Sequence, residues 1–450
     1  MPLPPPGDTI AAIATAPGEG AIGVVRVAGP DAFAVADAVF APRAGGSPSR
    51  RPSHRVVVGR IHDADGVVDD AVLLTFRAPR SYTGQDAVEL QTHGGPAVLR
   101  RTLNACLAAG ARPAGPGEFT LRAYLAGKMD LIQAESVLGI VQARSERARR
   151  SAAEGLTRRL SDALNGLQDR LLAAYGDLTA VLDYPEEGVE LRDVRPALAG
   201  VRERIDALLA TADAGALVRR GARLAIVGRP NAGKSSLLNA LLGYERSIVS
   251  DVPGTTRDYL EAPLELGGVP LTAVDTAGVR STGDAIEASG VRRALDLAEQ
   301  ADLVLCLLDR SRPLDASDHE LLERLAPERT LVLASKADLA PAWSWRQAGL
   351  RTPPIDISAA QGTGLDALRD AVRERLLGDA AGAELWITHE RHAQALRDVA
   401  EVLDRAEGAP EDVMALELQD ALQTLAALTG RGEVAEDALE HVFANFCVGK

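Results

Sequence analysis

The chain has 450 residues, 46% of them apolar and 25% charged, and a formal net charge of −14. That length exceeds a single core and fits about three domains, and the balance is globular, which excludes a disordered or fibrous chain. The acidic charge argues against a surface generally coated by nucleic acid.

No apolar run approaches the roughly 20 residues a membrane helix needs. The opening "MPLPPPGDTI" lacks the basic start and apolar block of a secretory signal. Three cysteines, Cys106, Cys306 and Cys447, lie too far apart for a disulfide framework or a zinc pattern. A cytoplasmic location is expected.

Residues 1–120 alternate short strand-like runs with turns: "AIGVVRVAG" (21–29), "HRVVVGRI" (54–61), "AVLLTF" (71–76) and "DAVELQTHGG" (86–95). Residues 97–110 read as a helix closed by Gly110, and 42–53 as a surface loop. An α+β domain follows. Residues 121–220 turn helical, with Leu156, Leu160, Leu164, Leu167, Leu171, Leu178 and Leu182 forming the stripe of a helix buried on one side. Within them, arginines 144, 147, 149, 150, 158 and 159 stand against Glu146 and Glu154. That run is either a solvated helix face or a phosphate-contacting patch.

Residues 221–376 alternate strand and helix. The strands are "RLAIVG", "LTAVD", "LVLCLLD", "TLVLAS" and "PIDIS", as a parallel α/β sheet requires. The helical signature returns over 377–450, at Leu396, Val399 and Leu403 and again from Leu418 to Leu428. Either helical half alone would leave an apolar stripe uncovered, so the two halves should pack together. The expected fold is multi-domain: an α+β N-terminal domain, a discontinuous α-helical domain, and a Ras-like α/β P-loop domain inserted between its halves.

The inserted segment carries the chemistry. "GRPNAGKSSLLNAL" (228–241) has P-loop spacing between a strand and a helix. Backbone amides over Asn231, Ala232, Gly233, Lys234, Ser235 and Ser236 would close on phosphates, Lys234 would reach the β- and γ-phosphates, and Ser235 would ligate Mg²⁺. Asn231 offers a carbonyl oxygen that could hold a monovalent cation beside the phosphates. In "SDVPGTTRD" (250–258), comprising Ser250, Asp251, Val252, Pro253, Gly254, Thr255 and Thr256 before Arg257, Thr256 could close over Mg²⁺.

"VDTAG" supplies Asp275, Thr276, Ala277 and Gly278, an acid for the magnesium shell and an amide for the γ-phosphate. "SKAD" (Ser335, Lys336, Ala337, Asp338) and "SAA" (Ser358, Ala359, Ala360) each follow a strand, where a guanine base is read. Asp338 can accept from guanine N1 and N2, a pair adenine lacks. The set narrows to a GTPase. Val279 stands where many GTPases place a water-orienting glutamine, so another group must orient the water.

The chain runs to "FCVGK". Gly449 in the second aliphatic position argues against a prenylation signal, and no membrane anchor is expected. With the P-loop, "GTTRD", "DTAG", "ELQTHGG", "RPAGPGEFT" and this tail, the chain resembles the MnmE (TrmE) family of tRNA-modification GTPases over essentially its whole length. The resemblance implies a homodimer through the N-terminal domains and a flavoprotein partner, MnmG, in a heterotetramer. It implies K⁺-activated GTP hydrolysis, and addition of an aminomethyl or carboxymethylaminomethyl group to the wobble uridine of certain tRNAs.

Carried over by residue, it makes Asn231, Ser250, Val252 and Thr255 ligands of K⁺, and Ser235 and Thr256 ligands of Mg²⁺. Glu287 becomes the group that orients the attacking water. It also implies a 5-formyltetrahydrofolate (or related folate) site in the N-terminal domain at Arg26, Glu89, Lys128 and Lys450, with Cys447 facing the modification chemistry. One departure stands out: Ser335 replaces the usual asparagine and is expected to be too short for the same base and P-loop contacts. The competing readings are a GTP-driven ribosome-assembly or membrane-remodelling switch and a folate-binding protein that its GTPase only regulates.

Overall fold

The computed structural model describes residues 7–183, 193–246, 262–274, 287–432, 434 and 436–450; at 244–246, 262–263, 287–291, 293, 436–438 and 441 only the backbone is described. Strands β1–β7 are Ile10–Ile13, Gly20–Ala28, Phe40–Pro42, Arg55–Asp63, Gly66–Phe76, Ala87–Gly94 and Arg112–Pro113. Strands β8–β13 are Ala222–Gly228, Ala262–Leu266, Val269–Ala273, Leu303–Asp309, Thr330–Ser335 and Ile355–Ile357.

Helices α1–α8 are Ala32–Val39, Pro96–Ala108, Glu118–Leu125, Leu131–Gln142, Glu146–Leu156, Arg159–Asp183, Arg195–Leu209 and Ala212–Arg220. Helices α9–α15 are Lys234–Arg246, Glu287–Glu299, Ala316–Arg324, Leu365–Leu377, Glu390–Glu407, Glu411–Thr429 and Glu436–Phe443. These elements fall into two compact units. One comprises Met1–Leu138, Gly155–Leu172 and Gln419–Lys450, the other Gly139–Glu154 and Ala173–Leu418.

The first unit is built on a seven-stranded sheet in the order β3-β4-β5-β6-β2-β1-β7, with β1 and β7 parallel and the remaining pairs antiparallel. Side chains alternate along each strand. Val25, Val27, Leu73 and Leu90 turn inward against Phe33 of α1 and Leu99 and Cys106 of α2. The opposite face carries Arg26 directly across from Glu89, because β2 and β6 pair in that register. A second core joins Leu121, Leu131 and Leu138 to Leu439, Phe443 and Phe446. Burying each phenylalanine contributes roughly 1.5–3 kcal/mol, enough to fix the segment that follows α15.

The second unit holds a six-stranded sheet in the order β13-β12-β11-β8-β10-β9. β11 is buried along its whole length, with Leu305 and Leu307 on one face and Val304, Cys306 and Leu308 on the other. A strand covered on both sides reads as the continuous apolar run "LVLCLLD". One expectation needs correction: the sheet is not wholly parallel, since β9 runs antiparallel to β10 at the edge. The two-residue turn Gly267–Gly268, with φ of +66° and +84°, permits that tight reversal. Helix α7 packs along α13, and Arg202 Nε donates to Asp404 at 2.9 Å.

Candidate functional site

The phosphate cradle begins where β8 ends. Gly228 has φ +146°, and a Cβ there would lie 2.5 Å from the Leu307 carbonyl oxygen, so the turn can come this close to β11 only with glycine. Asn231 takes the left-handed region at φ +62°, which asparagine tolerates better than most residues. The Ala232 amide donates to the Arg229 carbonyl at 3.2 Å, and Gly233 gives the last loop step before α9. The Lys234 ammonium donates to the carbonyls of Gly228 and Arg229, each at 2.7 Å, and burial pushes its pKa down. Ser235 and Ser236 lie in the first turn of α9, whose N-terminal amides favour an anion.

The base-reading residues converge on this loop from two other strands. Ser335 ends β12, and Lys336 follows at φ +57°. The Lys336 ammonium meets Asp309 Oδ2 at 2.7 Å. Burial would raise the Asp309 pKa, but Lys336 and Ser311 outweigh it and hold the carboxyl below its usual range. The Ala337 amide donates to the Ile357 carbonyl at 3.0 Å, tying this turn to β13. After β13, Ser358 Oγ donates to Asp338 Oδ1 at 2.6 Å and fixes the carboxylate. A cavity of about 250 Å³ opens here, lined by Gly233, Ser236, Lys336, Asp338, Ala359 and Ala360 among others.

The reach of Ser335 has to be corrected. Its Oγ donates to the Ala232 carbonyl at 2.7 Å and lies 3.2 Å from the Leu308 carbonyl. Serine suffices for the P-loop contact because the last residue of β12 is itself buried against that loop.

Ser250, Asp251, Val252, Pro253, Gly254, Thr255, Thr256, Asp275, Thr276, Ala277, Gly278 and Val279 lie outside the described residues. Glu287 opens α10 and is described by its backbone alone. Among the proposed cation ligands, therefore, only Asn231 and Ser235 have described positions. Within the arginine-rich stretch, Arg149 pairs with Glu146 at 2.6 Å and Arg158 faces Asp162 at 3.7 Å. Arg147 lays its guanidinium over Trp386, 4.8 Å from the ring centroid.

A second constellation forms in the first unit. Arg26 Nε and Nη2 both reach Oε1 of Glu89, at 2.9 and 2.8 Å. The Arg26 guanidinium carbon lies 5.6 Å from the ring centroids of both Tyr82 and Phe119. The tail closes over it: Val448 bridges to Pro116, Phe119 donates its amide to Lys450 O at 3.2 Å, and Arg26 Nη1 donates to Gly449 O at 3.3 Å.

Lys128 Nζ donates to Pro79 O at 2.9 Å, at the start of the segment that carries Tyr82. Cys447 is exposed, whereas burial pushes the thiols of Cys106 and Cys306 up to about 12. The Arg26–Glu89 pair, two aromatic rings and the tail thus meet at one place on the sheet. Tyr82, Phe119, Gly449 and Asp309 were missed in the sequence, since each contributes through a neighbour far along the chain.

Comparison with known proteins shows which sequences the chain resembles. The model described as "GTP-binding protein TrmE N-terminus" matches residues 9–128, and that described as "MnmE helical domain" matches 131–447. A protein of Thermus thermophilus named "tRNA modification GTPase MnmE" is 53% identical over 445 residues, 98% of this chain and 99% of its own length. One of the same name from Roseiflexus castenholzii is 42% identical over 465 residues, again 98% and 99% of the two chains. Among solved structures, the G domain of the T. maritima FeoB iron transporter is 27% identical, over 34% of this chain and 97% of its own, with a TM-score of only 0.25.

Proposed function

Because the chain belongs to the MnmE (TrmE) family of tRNA modification GTPases, we propose that it hydrolyses GTP in a K⁺-stimulated reaction during tRNA modification. With a flavoprotein partner of the MnmG kind, it would install an aminomethyl or carboxymethylaminomethyl group at C5 of the wobble uridine. The observation that carries this reading is the convergence of Ser335 and Ser358-braced Asp338 on one cavity, with Ser335 tied to the same P-loop that holds Lys234.

In this mechanism Lys234 and the α9 amides would hold the phosphates, and Ser235 with Thr256 would hold Mg²⁺, which would supply charge neutralisation for the transferred group. Asn231, with Ser250, Val252 and Thr255, would hold K⁺, and Glu287 would orient the attacking water in place of Val279. Arg26, Glu89, Lys128 and Lys450 bind and orient a 5-formyltetrahydrofolate-type carrier, with Tyr82 and Phe119 excluding water. That carrier supplies the one-carbon unit when bound. The Glu89 carboxylate, an acceptor, suits the donor-rich edge of a pterin.

The domains proceed as 1–120, 121–220 with 377–450, and 221–376. Ile22, Val56 and Val58, exposed on the open face of the N-terminal sheet, support a homodimer through that domain. Among the described residues no helix is long and apolar enough to cross a membrane.

Two measurements test the proposal. GTP hydrolysis in K⁺ should exceed that in Na⁺ by at least an order of magnitude, and equal rates would remove the K⁺ assignment. Mass spectrometry of wobble uridines from a strain lacking this protein should show the modification lost, and its persistence would refute the role.

A further inference from the structure

We infer that this chain reads guanine along its N1–N2 edge and leaves N7 unread, because the hydroxyl of Ser335 is tied to the P-loop. The inference rests on the GTP reading above and adds what sets base specificity in this site. Ser335 is 5% exposed, in the wall of the cavity beside Asp338. Its Oγ lies 2.7 Å from the Ala232 carbonyl oxygen and 3.2 Å from the Leu308 carbonyl oxygen. Both neighbours are acceptors, and a hydroxyl has one proton to donate. Whichever carbonyl takes it, none remains for a purine acceptor. Turning the proton towards a base would leave the hydroxyl facing two carbonyl oxygens with no donor between them, in a site shielded from water.

Guanine presents N7 and O6 as acceptors and its N2 amine as a donor. The other groups of this pocket favour the donor edge. Asp338, ionised, only accepts, and Ser358 holds its Oδ1 at 2.6 Å so that the carboxylate keeps one orientation. The Lys336 ammonium faces Asp309 Oδ2 at 2.7 Å. An asparagine at position 335 would carry two amide protons, one for the Ala232 carbonyl and one for N7. Serine keeps the P-loop tether and drops the base contact. Ser335 is therefore the residue that sets which edge of guanine is recognised.

The test uses 7-deazaguanosine triphosphate, in which a C–H replaces N7 and the N1, N2 and O6 groups are unchanged. The full chain, with Mg²⁺ and K⁺, should bind it and GTP with dissociation constants within threefold of each other. Ser335→Asn should raise the preference for GTP by about three- to tenfold, the value of one net hydrogen bond. A wild-type preference for GTP beyond threefold overturns the inference, because another donor then reads N7. A Ser335→Asn protein with no gain in discrimination overturns the role assigned to the side chain. Should that variant not fold, the wild-type ratio alone decides. Binding of neither nucleotide overturns the underlying GTP reading and this inference with it, whereas tight GTP binding with rejection of the 7-deaza analogue overturns this inference alone.

Discussion

Asp338 is held by Ser358, and that bond dictates what a substitution there does. In Asp338→Asn the Ser358 hydroxyl should keep the amide oxygen at its 2.6 Å position and turn the NH₂ towards the base. Guanine then meets a donor with its own donor edge, while xanthine offers an exocyclic oxygen. The preference should move from GTP to xanthosine triphosphate by about two orders of magnitude or more, since a site left with a buried unpaired donor rejects the wrong ligand strongly. Competition binding checks it, and an unchanged preference would mean the base is held elsewhere. The motifs that located this residue were legible because a P-loop and a strand-end acid are contiguous in sequence. Ser335 was legible as a departure but not in its consequence. Its reach depends on how closely β12 meets the P-loop, a distance no local pattern encodes. The Arg26–Glu89 pair was hidden for the same reason: register between β2 and β6 is a long-range property.

Among elements, long strands and helices announced themselves by periodicity, while several short pieces did not, although the three-residue edge strand β13 was legible as "PIDIS". β1, β3, β7 and the antiparallel β9 have between two and five residues each, too few for alternation to rise above chance. The tail shows how much a short segment can hold. Gly449 has φ +99°, and a Cβ there would sit 2.4 Å from the Ile13 carbonyl oxygen and 3.0 Å from Ala14 Cα. Backbone on that side cannot yield as a side-chain tip would. Gly449→Ala should therefore lift the segment from the sheet and break the Phe119 amide bond to Lys450. Hydrogen exchange at Phe119 should quicken at least tenfold and folate affinity should drop by a similar factor. Native exchange in that variant would show that the tail tolerates a side chain.

At the scale of the whole molecule, the carboxylates that answer arginines within each unit make stability sensitive to pH. In the first unit, Glu118 is 2% exposed and bonded to Arg112 and Arg122 at 2.7 and 2.8 Å, with Asp8 completing the cluster. Burial would raise the Glu118 pKa, but Arg112, the Gly115 amide and Arg122 together hold it below the usual carboxylate value. Asp302 in the second unit is likewise depressed: burial opposes the shift, and Arg220 and the Arg223 amide outweigh it. Groups with lowered folded values stabilise fully above the unfolded carboxylate value near pH 4, and that contribution disappears as pH falls through the folded values. The thermal midpoint followed by circular dichroism should fall steeply between about pH 5 and pH 3. Glu118→Gln should cost about 3 kcal/mol at neutral pH and flatten that slope, because one partner of a buried pair is lost. A midpoint independent of pH would refute the assignment. One contact carries a temporal consequence. Arg26 and Gly449 touch across 423 residues of sequence. At the usual pace of synthesis, roughly 5–20 residues per second, about 17–67 s pass between completion of β7, the last strand of the N-terminal sheet, and synthesis of Gly449. Throughout that interval Arg26 lacks the Gly449 carbonyl it meets in the finished chain, so a nascent chain can complete its first sheet well before the tail can close over it.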